Sequence, residues 1–460
     1  MATFFVNRTS GNDSNNGSSG SPVASLTQAF VLVAAAVAAG PNDHGPHEII
    51  IQDGSVYQEG GLGVDPSFNA LTQIRVMALT GSDGRPTASP TVRGSGSLGV
   101  QNYAFFCGRQ WIIRGITFDN WVITKDKGVV QQRDVSTVAQ DQFLTVEDCI
   151  FRDVTGSCIN IDGNDDPGLH LFQRNKFYRV NAPSSSGTNI IHLNSNNKAK
   201  IVNNVFYDVQ FGHSAAHLIS GGGTRGPATI ISHNTFGTSS CPQVAKVNVA
   251  IDSLTSKLEY NIINGYDTVE TFADVRGGEA NYNLYYNVTG SSEHAPFGRA
   301  AGGPTASVGN ITGNNANALF LGPLVDTNDA DYRLAGTNSP AFDAAIGSSD
   351  VTSDYTGGSR VTLDQTALAT GIFDIGAYEL TGLWSDEQAD SLPQIGADFT
   401  INRMENSKNQ WKRAKQAGNS TVLGHDVDQI PSSLAINGAV PSFIRGRTNA
   451  KTQESGKKGV

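Results

Sequence analysis

The sequence predicts an all-β chain wound as a solenoid of short parallel strands, with a single helix near its start. The first observation is a phrase that returns between Trp111 and Val288: WIIRGITFDNW, LTVEDCIFRDV, LHLFQRNKFYRV, AKIVNNVFYDV, ATIISHNTFGTS, KLEYNIINGY and EANYNLYYNV. Aligned on one polar position, it reads Gly115, Asp148, Asn175, Asn204, Asn234, Asn261 and Asn283. Two residues later come Thr117, Ile150, Phe177, Phe206, Phe236, Ile263 and Tyr285. The interval of about 22 to 33 residues is that of repeats which stack. The second observation is the alternation of apolar and polar residues within each phrase, which is too short for a helix and marks a strand with one inward face. One coil cannot bury that face alone, but stacked coils turn it into a continuous column of Ile, Val and Phe. The third is the recurring Asn. At a turn it tolerates a left-handed backbone, and its amide can bond the Asn of the next coil.

These features resemble the asparagine ladder and aromatic column of a right-handed parallel β-helix, and the chain is similar to the pectate-lyase-like superfamily. The resemblance implies a fold rather than an activity, because lyases, hydrolases, epimerases and inert adhesins all use it.

Taken in order, residues 1–60 form a cap. A strand at Phe4 to Asn7 leads through a polar loop to an apolar helix from Leu26 to about Ala38, ended by Gly40-Pro41, and then to a strand at Ile49 to Gln52. Such a helix must lie on an apolar surface, and the open end of a solenoid is one; covering it also protects strand edges. The pieces Phe5-Val6, Gly11 to Gly17, Ala29 to Ala39 and Ile49 to Glu59 resemble the N-terminal cap of the superfamily. Asp13, Asn15 and Gly17 alternate like a calcium loop but lack the later bidentate Glu, so a solvated turn and no metal are expected.

Residues 61–290 supply the coils. Residues 291–380 resemble the closing segment of bacterial and phage β-helix proteins, through Asp331-Tyr332-Arg333-Leu334, Ser339-Pro340-Ala341-Phe342-Asp343 and Phe373-Asp374-Ile375-Gly376-Ala377-Tyr378-Glu379. There Asp343, Arg360, Asp374 and Glu379 are expected to tie loops together. Residues 381–460 lose the repeat and are poor in large apolar groups, a composition that orders only when a partner holds it. This tail is expected to serve assembly, anchored by Trp411, Ile430, Phe443 and Ile444, with Arg445 and Arg447 on acidic partner surfaces. A tail folded back on its own coils is the alternative.

At 460 residues the chain is long for one globular domain and natural for a solenoid. Its 51 glycines and 16% charged residues suit many tight turns between short strands. The net charge is -10, yet residues 401–460 carry ten Lys or Arg against four Asp or Glu, which leaves -16 for residues 1–400. Basic residues of the tail lie among Ser and Gly without aromatic interleaving, so nucleic acid is not the expected partner. Cys107, Cys149, Cys158 and Cys241 show no metal-ligand spacing and are read as buried thiols at strand positions. No stretch approaches a membrane span, and MATFFVNRTS is no signal peptide.

Four strands, SCINIDG, NIIHLNS, AAHLIS and VAKVNVAIDS, align so that Asn160, His192, His217 and Asn248 stack outward, with Asp162 and Asn194 one outward step along. This strip reads as a solvated face, as a glycan-binding surface, or as an active site. A glycosidase needs two facing carboxylates; Asp162 is one candidate, with Asp165 and Asp166 nearby, but no partner acid follows in the next coil. A lyase would need a base and a cation, for which His192, His217, Arg225 and Lys246 are available. No cofactor is implied. The expected function is a structural virion component of a bacteriophage, a tail spike, fibre or surface decoration, assembled as a homo-oligomer (trimer). It would meet a host surface glycan and dock on other virion proteins or copies of itself through its tail. The alternative is a polysaccharide lyase or glycoside hydrolase working along the coils.

Overall fold

The structure, a computed structural model, describes residues 1–39, 45–63, 73–82, 84–97, 103–108, 110–124, 127–133, 143–162, 168–182, 189–193, 198–211, 217–221, 229–237, 249–252, 257–264, 273–276, 279–286, 311–313, 339, 341, 345–347, 351, 353–356, 371–373 and 376–377. Almost all belong to one compact unit, Met1–Ala345 with Ser349–Arg360 and Phe373–Glu379. The second unit is Ile346–Ser348, Val361–Ile372 and Leu380–Val460, of which only 346–347 and 371–372 are described, in the short strands Ala345–Gly347 and Gly371–Phe373.

The first unit is a right-handed parallel β-helix. One coil shows the plan: Gln110–Arg114 lies in the first sheet, Thr117–Val122 in the second and Gly128–Arg133 in the third, and Phe143–Glu147 returns to the first. The three sheets hold ten, ten and eight described strands, and every strand pairs in parallel with its counterpart one coil away. The period-two pattern puts Ile49, Val76, Ile113, Val146, Phe172, Ile201, Ile231 and Leu258 in one inward column of the first sheet, all fully buried. From the second sheet come Phe118, Phe151, Phe177, Phe206 and Phe236, whose rings stack at 4.8, 5.0, 4.6 and 4.9 Å between centroids. A parallel sheet with both faces apolar or covered has no way to slip one residue without turning this column to solvent.

The turn between the first and second sheets corrects the sequence alignment in its first two coils. The ladder position is occupied by Ile116, Cys149, Asn175, Asn204, Asn234, Asn261 and Asn283, because Thr117 pairs with Ile150 and Ile150 with Lys176. The left-handed residue is the one before it: Gly115 (φ 72), Asp148 (54), Arg174 (55), Asn203 (56), His233 (55), Tyr260 (59) and Tyr282 (53). Gly115 and Asp148 stood out as polar turn residues and so drew the alignment one place early. From Asn175 to Asn283 each rung's backbone N–H and Nδ2 both donate to the Oδ1 of the next, at 2.9 to 3.1 Å. Each Nδ2 also donates to an inner carbonyl of the coil before, such as Val146 for Asn175 and Phe172 for Asn204.

The N-terminal end is closed by the helix Leu26–Ala39, with Leu26, Ala29, Phe30, Val33 and Val37 buried. Phe30 stacks on Trp111 at 5.7 Å and tilts against Phe105 at 5.9 Å, which places it over the open core. Asp13 lies in an exposed turn, as expected, and its carboxylate also accepts from the Ala24 and Ser25 amides and from the Ser25 hydroxyl. Glu59 accepts from the Leu26 and Thr27 amides and from the Thr27 hydroxyl, so a remote carboxylate meets the positive end of the helix.

Two described pieces of the closing segment, 353–356 and 376–377, bond to the coils. Ser353 O accepts from Asn203 Nδ2 at 2.6 Å, Tyr355 O from Arg85 at 3.2 Å, and Ala377 N donates to Thr235 Oγ1 at 3.0 Å. Tyr355 N and Ala377 O join these two pieces at 2.7 Å. Gly376 and Ala377 lie against Thr235 and Ile262, outward residues of the second sheet that are both buried. Asp343, Arg360, Asp374 and Glu379 lie outside the described residues.

Candidate site on the outer face of the third sheet

Four successive strands of the third sheet each carry an apolar pair, Val129-Val130, Cys158-Ile159, Ile190-Ile191 and Leu218-Ile219, and both members of every pair lie in the core. Two successive side chains can point inward only if the strand kinks as at a bulge. The consequence is that residues three apart on either side of the pair share the outer face. Asn189 Nδ2 and His192 Nδ1 accordingly meet at 3.0 Å, and the Gly128 amide donates to Gln131 Oε1 at 2.9 Å.

Pairing aligns Gln131 with Asn160, Asn160 with His192, and His192 with Ser220. The resulting outer strip is Gln131, Asn160, His192 and Ser220 in one column, with Ser157 and Asn189 in the column beside it. Gln131, Ser157, Asn160 and Asn189 are 1 to 5% exposed although they are polar and face away from the core; His192 and Ser220 are half-buried. His192 Nδ1 lies 2.9 Å from Ser220 Oγ. Gln131 is satisfied by the Gly128 amide and the Gln132 carbonyl. Among the described residues the buried Asn160 Oδ1 has no hydrogen-bond partner, an arrangement that costs roughly 1–3 kcal/mol unless something donates to it. Gly128 makes room for this amide: a Cβ there would stand 2.7 Å from Asn160 N and 2.9 Å from its Cβ.

Of the sequence-derived strip, Asn160 and His192 are neighbours. His217 is not next to His192; it pairs with Asn189, and Ser220 takes the place expected for it. The slip arises because the two histidines invite alignment by identity, whereas the apolar pair sets the register. Asp162 is exposed at its strand end and pairs with Arg133. Asn194, Asn248, Asp165, Asp166, Arg225 and Lys246 lie outside the described residues, as do Trp411, Ile430, Phe443, Ile444, Arg445 and Arg447. Gln131, Ser157, Asn189 and Ser220 went unrecognised in the sequence, where VV, CI, II and LI followed at once by a polar residue was the available signal.

Charge concentrates elsewhere, at the turn between the first and second sheets. Asp148 meets Arg174 at 2.7 Å and Arg114 at 3.0 Å, and Glu147 meets Arg174 at 3.2 Å. Burial alone would raise the Asp148 carboxyl, but the two guanidinium groups overcome it and hold the group below the usual carboxylate range. Cys107, Cys149 and Cys158 are buried free thiols, and burial raises all three. Cys149 stands at the ladder turn rather than at a strand position. Among the described residues no three His, Cys, Asp or Glu side chains are grouped to hold a metal, and no helix is long and apolar enough to cross a membrane.

Three parallel sheets, an asparagine ladder and a helix-capped end define a right-handed parallel β-helix protein. Residues 9–239 match the family described as "Protein of unknown function (DUF1565)", and the chain belongs to that family. No curated protein matches it. Among solved structures it is similar to that of XylC with xylose, at 12% identity and a TM-score of 0.38, over 68% of this chain and 76% of that one. It is also similar to the GH136 lacto-N-biosidase of Eubacterium ramulus, at 12% identity and a TM-score of 0.31, over 68% and 67%. Likenesses at this level do not bear on activity.

Proposed function

We propose that the chain is a glycan-recognition protein of a bacteriophage particle, a spike, fibre or surface decoration that presents the outer face of its third sheet to a host glycan and docks through its basic C-terminal tail. The observation that carries the glycan reading is the outward polar column Gln131, Asn160, His192 and Ser220, of which His192 and Ser220 are half-buried and so present surface. A row of neutral polar groups repeated at about 4.8 Å per coil suits a hydroxyl-rich chain laid along the axis. The particle reading is supported by the charge contrast between an acidic body and a tail with a surplus of six positive charges.

A glycan array probed with the whole chain tests the first part, with binding expected to neutral oligosaccharides and weakened about three- to tenfold by His192→Ala. A truncation after Leu380 tests the second: the coils stay folded, but incorporation into particles is lost. Shortening of a glycan polymer by the intact chain would instead establish the lyase or hydrolase alternative, and an array with no binder would sink the glycan reading.

A further inference from the structure

The outer strip also holds a pair that binding alone does not explain. Ser220 Oγ and His192 Nδ1 are 2.9 Å apart across adjacent coils, both half-buried on the outer face, and Asn189 Nδ2 approaches the same nitrogen at 3.0 Å. In the tautomer with the ring proton on Nε2, Nδ1 accepts from Asn189 Nδ2 and can take the Ser220 hydroxyl proton.

We infer that Ser220 and His192 form a nucleophile and general base that remove O-acyl groups from a glycan lying on this face. Ser220 Oγ bonds to the acyl carbonyl carbon while its proton passes to His192 Nδ1. The bond from carbonyl carbon to sugar oxygen then breaks, and that oxygen takes the proton from His192. Water, deprotonated by the same nitrogen, cleaves the acyl-serine to a carboxylic acid and restores the Ser220 hydroxyl. No oxidant, reductant or metal enters the balance. The inference rests on the glycan reading only for the identity of the alcohol; the esterase chemistry stands or falls separately.

The test treats the whole chain with a fluorophosphonate and follows p-nitrophenyl acetate hydrolysis. The phosphonate is expected on the Ser220 peptide by mass spectrometry. Ser220→Ala abolishes labelling and lowers the hydrolysis rate by about a hundredfold or more, with the melting temperature retained. His192→Ala lowers the rate by about 10²- to 10⁴-fold, and added imidazole restores part of it. Absence of label at Ser220, together with a hydrolysis rate unchanged in Ser220→Ala, overturns the inference and leaves any glycan binding in place. Labelling and hydrolysis without binding to any glycan on the array keep the esterase and remove the glycan reading.

Discussion

The backbone N–H of Cys149 donates to the side-chain oxygen of Asn175 at 3.0 Å, so a cysteine holds a rung above the first asparagine of the ladder. Its thiol points 3.8 Å from the Ile113 carbonyl, the group that answers to Val146 O beneath Asn175. An Asn at 149 would place its Nδ2 between Ile113 O and Asn175 Oδ1, replacing a weak sulfur donor by two amide bonds. Cys149→Asn is therefore expected to stabilise the chain by about 1 kcal/mol. Asn204→Leu, which strands the donors of Asn175 and the carbonyl of Phe172, should destabilise it by about 3 kcal/mol or more. Thermal unfolding of the two variants decides the matter: shifts of opposite sign support the ladder as drawn, and a fall in both would show that the Cys149 site cannot hold an amide. Burial pushes the Cys149 thiol up to about 12, so it should also resist alkylation until the coils open.

Asp148 joins the left-handed turn to the ion network, and this gives stability a sign with pH. Its folded-state affinity for protons is lowered by Arg174 and Arg114, so the unfolded chain binds the proton more tightly. The stabilisation is complete above the ordinary carboxylate range near 4 and is lost as pH falls through the lower folded value. Asp148→Asn keeps a residue suited to φ 54 but removes the charge between two guanidinium groups. It should cost about 1–3 kcal/mol at neutral pH, because two partly buried cations lose one of their two carboxylate partners and keep only Glu147. In acid the variant and the parent should converge. Melting curves at pH 7 and pH 3 measure this, and a gap that persists unchanged at pH 3 would place the effect in packing instead.

The coils were legible because their inward residues obey a strict period: Phe177, Phe206 and Phe236 and the asparagines two residues before each mark the register by themselves. The first two coils were not, since Gly115 and Asp148 are polar turn residues one place before the ladder and no Asn stands at Ile116 or Cys149 to correct the count. The third sheet was read with one slip for a different reason. Period two cannot describe a strand that turns two successive side chains inward, so Ile190-Ile191 and Leu218-Ile219 hid the pairing of His192 with Ser220. Asp13 and Glu59 could be seen as conspicuous acids but not in their roles, because only folding brings the Ala24 and Ser25 amides to Asp13 and the Leu26 and Thr27 amides to Glu59, which is 33 residues from Leu26.

Gly376 is the point at which the closing segment is pinned. Its φ of +102° is outside what L side chains adopt, and a Cβ there would fall 2.5 Å from Ile262 Cδ1 and 2.8 Å from Ile262 Cγ1. The same residue donates from its amide to Tyr260 O at 2.9 Å, so it cannot move outward without losing that bond. Gly376→Ala should therefore lift Gly376 and Ala377 from the second sheet and, through the Tyr355–Ala377 bond, loosen Tyr355 as well. Exchange of the Tyr355, Gly376 and Ala377 amides is expected to quicken by about tenfold or more, while the Asn204 amide inside the ladder keeps its protection. Adding Ile262→Ala removes the steric conflict but not the backbone one, so it should recover protection only in part. Full recovery would show that crowding alone requires glycine here, and no change in the single variant would show that the closing segment is held by its other contacts, at Asn203 and Arg85.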